Sequence, residues 1–357
     1  MIQLTWRQFR AQAMASFGLL AVIAVVLAVT GPHLVQIYDT SVAPCAAHND
    51  CAAADNALVN HDHFLQGLGI VLVVVPGLIG VFWGAPLLAR ELETGTYKLA
   101  WTQGVTRRRW LAVKLGLVGL ASVAVAGLLS LMLTWWASPI DRVNADPFGL
   151  FDQRGIVPLG YAAFAFALGV TAGMLLRRTL PAMVVTIAVF AAARLGMIWL
   201  RWRLFAPLRL VAQLRFPNAS GHAGSPVQQL GPPNPADFVI SNVTINGAGK
   251  VIGPQGAIDL GNGMYGLGLR VNHGQPSVPG AGVCPNAFPP LTRNATPNPG
   301  LAKAGQVCFD KLGIRELLTY VPTTRYWPLQ WCELAIFTGL ALVLAGFTFV
   351  WLRRRFP

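Results

Sequence analysis

Charge is what this sequence has least of: 11% of its 357 residues are charged and only 14 are Asp or Glu. With 54% hydrophobic residues and a mean hydropathy of +0.52, a fold in water would leave much of its surface apolar, so a bilayer is the expected solvent. Catalytic signatures are missing as well. There is no G-x-x-x-x-G-K-[ST], no G-x-S-x-G and no H-E-x-x-H. The nearest approach to a phosphate loop, Gly247-Ala248-Gly249-Lys250-Val251, lacks the first glycine and the hydroxyl residue, so the chain cannot hydrolyse ATP through such a loop. No aromatic and basic stripe accompanies the net charge of +13 on a soluble segment, which argues against nucleic acid as a partner. No internal repeat is apparent, which weighs against inverted-repeat transporters.

What the sequence does have is blocks of apolar residues. A helix needs about 20 residues to cross the hydrocarbon layer. Six windows qualify: 17–38, 64–89, 111–137, 155–176, 179–200 and 329–352. The fold class expected is therefore an all-α polytopic membrane protein with six transmembrane helices. Six spans place both termini on one side, and basic residues assign the side. Arg7, Arg10, Arg90, Lys98, Arg107, Arg108, Arg109, Lys114, Arg177, Arg178, Arg353, Arg354 and Arg355 fall together, whereas the short loops opposite, 39–63 and 138–154, hold only Arg142 and Arg154. Both termini are expected in the cytoplasm, in the plasma membrane of a bacterium, with the basic segments attracting anionic lipids. Residues 1–16 put Ile2, Trp6, Phe9 and Ala13 on one helical face, as a short amphipathic helix in the cytoplasmic interface would. The first span is expected to be retained, since its apolar core starts too far from the N-terminus for a signal peptide and Pro44 spoils the site before Cys45.

Residues 17–200 thus hold spans one to five, 201–328 form an outer domain, and 329–357 hold the sixth span and a basic tail. The outer segment begins with RWRLFAPLRLVAQLRF, basic and amphipathic, expected to lie along the outer surface. From 216 to 325, Gly and Pro make up 31 of 110 residues, which excludes a helical bundle there. ADFVISNVTI and GKVIG read as strands of a β- and loop-rich domain, and GIRELLTYV at 313–321 resembles a short helix feeding the last span. Four of the five cysteines fall outside the membrane. Their spacing predicts two disulfides, Cys45–Cys51 and Cys284–Cys308, in an oxidising compartment. Cys45, His48 and Cys51, followed by His61, Asp62 and His63, have ligand types for zinc, but an oxidising loop favours the disulfide, so no metal is expected.

Inside the spans, Gly80-x-x-x-Gly84 and Gly169-x-x-x-Gly173 would let helix backbones approach closely. Two ions also lie within predicted spans. Arg194 and Glu333 fall at similar depths near the outer ends of spans five and six, and an ion there invites a partner. The expectation is an Arg194–Glu333 ion pair, either as structural glue or as part of a substrate path.

The charged residues that remain concentrate between spans two and three, in the loop 90–110. Glu91 to Ala100 is predicted as a helix ended by Gly104, with Thr106 capping the next helix before Arg107, Arg108, Arg109 and Trp110 anchor span three. The stretch GVFWGAPLLARELETGTYKLAWTQGVTRRRWLAVKLG, about Gly80 to Gly116, closely resembles the corresponding loop in actinobacterial permeases of the type-2 ATP-binding-cassette (ABC) exporter family. The resemblance implies a coupling helix that docks on a separate cytoplasmic ATPase subunit. Carried over by position, it assigns the ATPase contact to Glu91, Glu93, Gly95, Thr96, Arg107, Arg108 and Arg109. It further implies a second permease subunit, in a homodimer or heterodimer, with ATP and Mg held by the partner ATPase and no cofactor in this chain. The permease itself would catalyse nothing and would export a substrate; an apolar path with few buried charges fits a hydrophobic or amphiphilic one such as a drug, antibiotic or lipid, with polysaccharide and peptide cargo left open. The long outer segment departs from the family, which often has only a short one there. A membrane-anchored sensor or scaffold with a ligand-binding outer domain is the alternative reading, and it leaves the loop unexplained.

Overall fold

The apolar blocks become helices because a backbone in lipid must satisfy its own hydrogen bonds. The computed structural model describes residues 2–37, 39–40, 73–96, 106–144, 148, 151–213, 232–234, 236–254, 258–259, 265–266, 270–272, 275–277, 307, 310–311 and 313–355. The described residues include six long helices: α1 (Ile2–Ile37), α2 (Val73–Thr94), α3 (Arg107–Asn144), α4 (Val157–Leu176), α5 (Thr179–Leu204) and α6 (Tyr326–Arg355). Among the described residues, α2 to α6 are each long and apolar enough to cross a membrane, and α1 contributes a shorter apolar stretch, Leu20–His33. Helix α1 runs unbroken from Ile2, so residues predicted as a separate interfacial helix are continuous with the first apolar block.

The chain divides into two compact units, residues 1–205 with 324–357, and residues 206–323. In the helical unit, a shared core joins Leu20 and Leu27 of α1, Trp83 and Leu88 of α2, Trp136 of α3 and Leu352 of α6. In lipid, apolar contact gains a helix little over contact with acyl chains, so close backbone packing and polar bonds decide which helices meet. The two glycine motifs supply the first. A Cβ on Gly80 would sit 2.5 Å from the Ala165 carbonyl oxygen, one on Gly84 2.6 Å from that of Phe166, and one on Gly173 2.5 Å from that of Ala85. Gly169 faces the Gly80 carbonyl oxygen more closely still. Helices α2 and α4 therefore meet backbone to backbone, and α2 widens into a π-helical turn at Gly80–Gly84 along this seam. Polar bonds supply the second. Trp136 Nε1 donates to Thr30 Oγ1 at 2.8 Å between α3 and α1, and the Thr171 and Thr348 hydroxyls lie 3.0 Å apart between α4 and α6.

The other unit carries an antiparallel four-stranded sheet in the order β1–β8–β2–β3, with β1 Leu208–Gln213, β2 Phe238–Ile245, β3 Val251–Pro254 and β8 Arg315–Val321. Two ribbons join β4 (Ile258–Asp259) to β5 (Tyr265–Gly266) and β6 (Arg270–Asn272) to β7 (Gln275–Ser277). The strands expected in ADFVISNVTI and GKVIG are present as β2 and β3. Two other readings of this region need correction. RELLTYV is the central strand β8 instead of a helix, because pairing with β1 on one side and β2 on the other outweighs the helix preference of Arg, Glu and Leu. RWRLFAPLRLVAQLRF is split: its first residues complete α5 to Leu204, and Leu208–Gln213 pairs with β8 as an edge strand. The Gly247–Lys250 segment is a hairpin turn. Asn246 Oδ1 accepts from the Ala248 and Lys250 amides, and Gly249 takes φ 78°, so the resemblance to a phosphate loop ends at composition.

The glycine seam can be tested by substitution. Gly169→Val in α4 should destabilise the detergent-purified protein by at least about 1–3 kcal/mol through overpacking. Gly116→Val, which has open space around it, should change thermal unfolding by far less. Equal effects at the two positions would contradict the backbone-to-backbone contact.

Candidate functional site

Two polar clusters stand at opposite ends of the helical unit. The first surrounds the α2–α3 loop. Helix α2 ends at Thr94, where Gly95 takes a left-handed φ of 72°, a conformation that suits glycine because it has no Cβ. The helix predicted from Glu91 to Ala100 therefore stops at Thr94 and is the last turn of α2; residues 97–105 lie outside the described residues. The Glu91 carboxylate pairs with Lys114 Nζ of α3 at 2.5 Å, and Lys114, 2% exposed, lies 4.9 Å from the centre of the Trp110 ring. Glu93 Oε2 accepts from the backbone N–H of Thr179 at 3.2 Å and from its hydroxyl at 2.9 Å. That carboxylate caps the N-terminus of α5, where amides lack helical partners and the helix dipole favours a negative charge. Gly95 borders open space, and Thr96, Arg108 and Arg109 are exposed; Arg107 is half-buried.

The second cluster lies where the α3–α4 loop meets α5 and α6. Arg201 Nε donates to Glu333 Oε1 at 2.5 Å, and its Nη2 donates to Asp152 Oδ1 at 2.5 Å. Tyr161 of α4 donates its phenolic hydrogen to Glu333 Oε2 at 2.5 Å and lies 3.2 Å from Asp152 Oδ1. Arg194 reaches Asp152 at 3.4 and 3.5 Å, with its guanidinium 3.8 Å from the centre of the Tyr161 ring. These five side chains hold two positive and two negative charges, so the buried cluster is neutral. Burial opposes ionisation of Asp152, but Arg194 and Arg201 outweigh it and hold the carboxyl below its ordinary pKa.

The expected direct Arg194–Glu333 pair is not formed. Arg194 bonds Asp152, Glu333 bonds Arg201, and Asp152, Arg201 and Tyr161 connect them. The reason is geometric: α5 continues past residue 200, so Arg201 stays on the helix and, one heptad after Arg194, shares its face within about 20°. The sequence reading assigned Arg201 to a surface segment. The heptad spacing, with an acid in the adjoining short loop, was the available signal. Gln330, fully buried, braces the same loop. Its Oε1 accepts from the Ile156 and Val157 amides at 3.0 Å each, and its Nε2 donates to the carbonyls of Phe151 and Arg154 at 3.1 and 3.2 Å. Ser130 of α3 donates to the Gly155 carbonyl at 2.8 Å.

Cys45, Cys51, Cys284 and Cys308, with His48, His61, Asp62 and His63, lie outside the described residues; Cys332 is a half-buried free thiol. Among the described residues no cluster of His, Cys, Asp or Glu has a metal-binding arrangement.

Breaking this network from one side leaves an unpaired buried charge. Glu333→Ala should destabilise the protein by about 3–5 kcal/mol, and Arg194→Ala, whose contacts are longer, by clearly less, as read by thermal unfolding in detergent. The depressed pKa of Asp152 also sets a pH limb: its stabilisation is present above its unfolded pKa of about 3.9 and is lost as pH falls through the lower folded value. An Asp152→Asn variant should lose this part of the acid destabilisation in an unfolding series from pH 7 to pH 3. An unchanged acid limb would contradict the assignment.

The curated proteins and the solved structures contain no match to this chain. The profile of a family described as ABC-2 membrane transporter related matches residues 17–201, from the apolar part of α1 to Arg201 at the end of the network. That match covers just over half of the chain and includes both stems of the α2–α3 loop, so the protein belongs to the ABC-2 membrane transporter related family.

Proposed function

We propose that this chain is the transmembrane permease subunit of an ATP-driven exporter, coupled to a separate ATPase through the loop between α2 and α3. Family membership supports an ABC transporter permease and an associated ABC ATPase subunit; such permeases are generally non-catalytic. The observation that carries the coupling assignment is how the loop is tied down. Its first stem bonds α3 through Glu91 and Lys114 and α5 through Glu93 and Thr179, while α2 lies against α4 along the glycine seam. A force on the loop therefore reaches four helices through short bonds and backbone contact, with little slack to absorb it.

In this reading the ATPase binds the loop, with Gly95, Thr96, Arg108 and Arg109 at its described edges and Arg107 beside them. Glu91 and Glu93 transmit the movement. ATP and Mg belong to the partner, whose closure drives the helices between two conformations of different substrate affinity. The substrate is hydrophobic or amphiphilic and moves outward. Two permease chains, identical or different, form the path. The membrane is the bacterial plasma membrane, α1 supplies the sixth span, both termini are cytoplasmic, and the β unit lies outside with its cysteines paired.

Co-purification of the tagged full-length chain from its native membrane tests the reading. A P-loop ATPase should accompany the wild type and be lost from Arg108→Glu plus Arg109→Glu. Lys114→Ala should retain the ATPase but lower substrate-stimulated hydrolysis by about tenfold, as loss of an interaction worth roughly 1.4 kcal/mol would. If no ATPase accompanies the wild type, the permease reading falls and the β unit becomes the functional part, as in a membrane-anchored sensor.

A further inference from the structure

Arg194 is underused by its partners. It is buried, 7% exposed, yet its contacts to Asp152 are 3.4 and 3.5 Å long and its Nε, also buried, has no hydrogen-bond partner. A guanidinium offers five donors in a planar fork that matches a carboxylate or phosphate, and burying one with this little compensation is costly. Arg201, on the same face of α5, directs a second guanidinium to the same Asp152 carboxylate. Two forks thus converge on one anion. That anion is the movable member: Gln330 and Ser130 hold the backbone of its loop, but the Asp152 side chain is 20% exposed against 8% for Arg194, 10% for Arg201 and 0% for Glu333 and can swing out by rotation about its own bonds. It can leave without unwinding a helix, and Arg201 would keep Glu333. Beside these arginines on α5, about 40–60° round the helix, Ile198 is exposed and apolar.

We propose that Arg194 and Arg201 form a binding site for the anionic headgroup of an amphiphile, a carboxylate or phosphate, which takes the place of the Asp152 carboxylate while its apolar part lies past the exposed Ile198. Asp152 is then an internal stand-in that keeps the two guanidiniums compensated in the absence of ligand. Recognition of the anion stands on this geometry alone. Only the identification of the amphiphile as cargo rests on the permease reading.

The test is binding to the detergent-purified full-length chain, counted by native mass spectrometry, with dodecyl phosphate, dodecanol and inorganic phosphate as separate probes. Dodecyl phosphate should bind saturably, dodecanol should not compete, and inorganic phosphate should bind at least about tenfold more weakly, because it lacks the apolar part. Arg194→Gln should weaken dodecyl phosphate binding by about tenfold or more, and Asp152→Asn, which removes the competing carboxylate, should tighten it by a similar factor. The second result is one that a purely structural network does not produce, and it decides the matter even if Arg194→Gln fails to fold. Unchanged binding in Arg194→Gln, or weaker binding in Asp152→Asn, would overturn the site, and equal binding of inorganic phosphate would overturn its amphiphile specificity. Loss of ATPase co-purification with binding intact would remove the cargo assignment and leave the site; the reverse pattern would remove the site and leave the coupling.

Discussion

Arg201 between Asp152 and Glu333 is the contact on which the arrangement of one end of the bundle depends. A guanidinium or a carboxylate alone at this depth carries a desolvation cost that apolar neighbours cannot offset. Together, and with Tyr161 supplying a further donor, they become a neutral unit. This ties α5 to α6 and both to the α3–α4 loop, three parts of the chain that apolar packing in lipid would leave free to slide. Gln330 and Ser130 then hold the loop's backbone, so that Asp152 is presented to the arginines by a fixed scaffold.

The other end uses the same physics with a different result. Glu91 and Glu93 sit on the last turn of one helix and bond two others, one through a buried lysine and one through the open amide of a helix start. Between the two ends runs the α2–α4 seam, where glycine removes the side chains that would otherwise act as a compliant layer. The family match runs from the apolar part of α1 into α5 and ends at Arg201, whereas Glu333 belongs to α6, beyond the match. The network is thus one of the contacts by which the matched helices engage the last one, beside the Thr171–Thr348 contact and Leu352 in the core. A bundle clamped at both ends and joined by a stiff seam has few ways to move.

Much of this is legible in the sequence. Apolar blocks of about 20 residues are read by composition alone, because the bilayer demands them whatever their neighbours are. The glycine pairs were legible as contact faces for a related reason: spacing four apart puts both on one side of a helix. What they touch was not legible, and the structure answers that they touch each other. Strand β8 was misread because the local preference of Arg-Glu-Leu-Leu is helical, and only the long-range partners β1 and β2 reverse it.

The sequence by itself determined that the chain is a helical membrane protein, that Arg194 and Glu333 are ions in need of compensation, and that the α2–α3 loop carries unusual charge. Each of these follows from residue type and local spacing. Tertiary structure alone decided the pairing: Arg194 to Asp152, Arg201 to Glu333, Glu91 to Lys114, Glu93 to the start of α5. Ion pairing is short-ranged and indifferent to separation along the chain, so which carboxylate meets which cation depends on where helices end and which loop folds over them. Helix α5 ending at Leu204, a few residues beyond the apolar window, was enough to bring Arg201 into the network and give Glu333 a different partner.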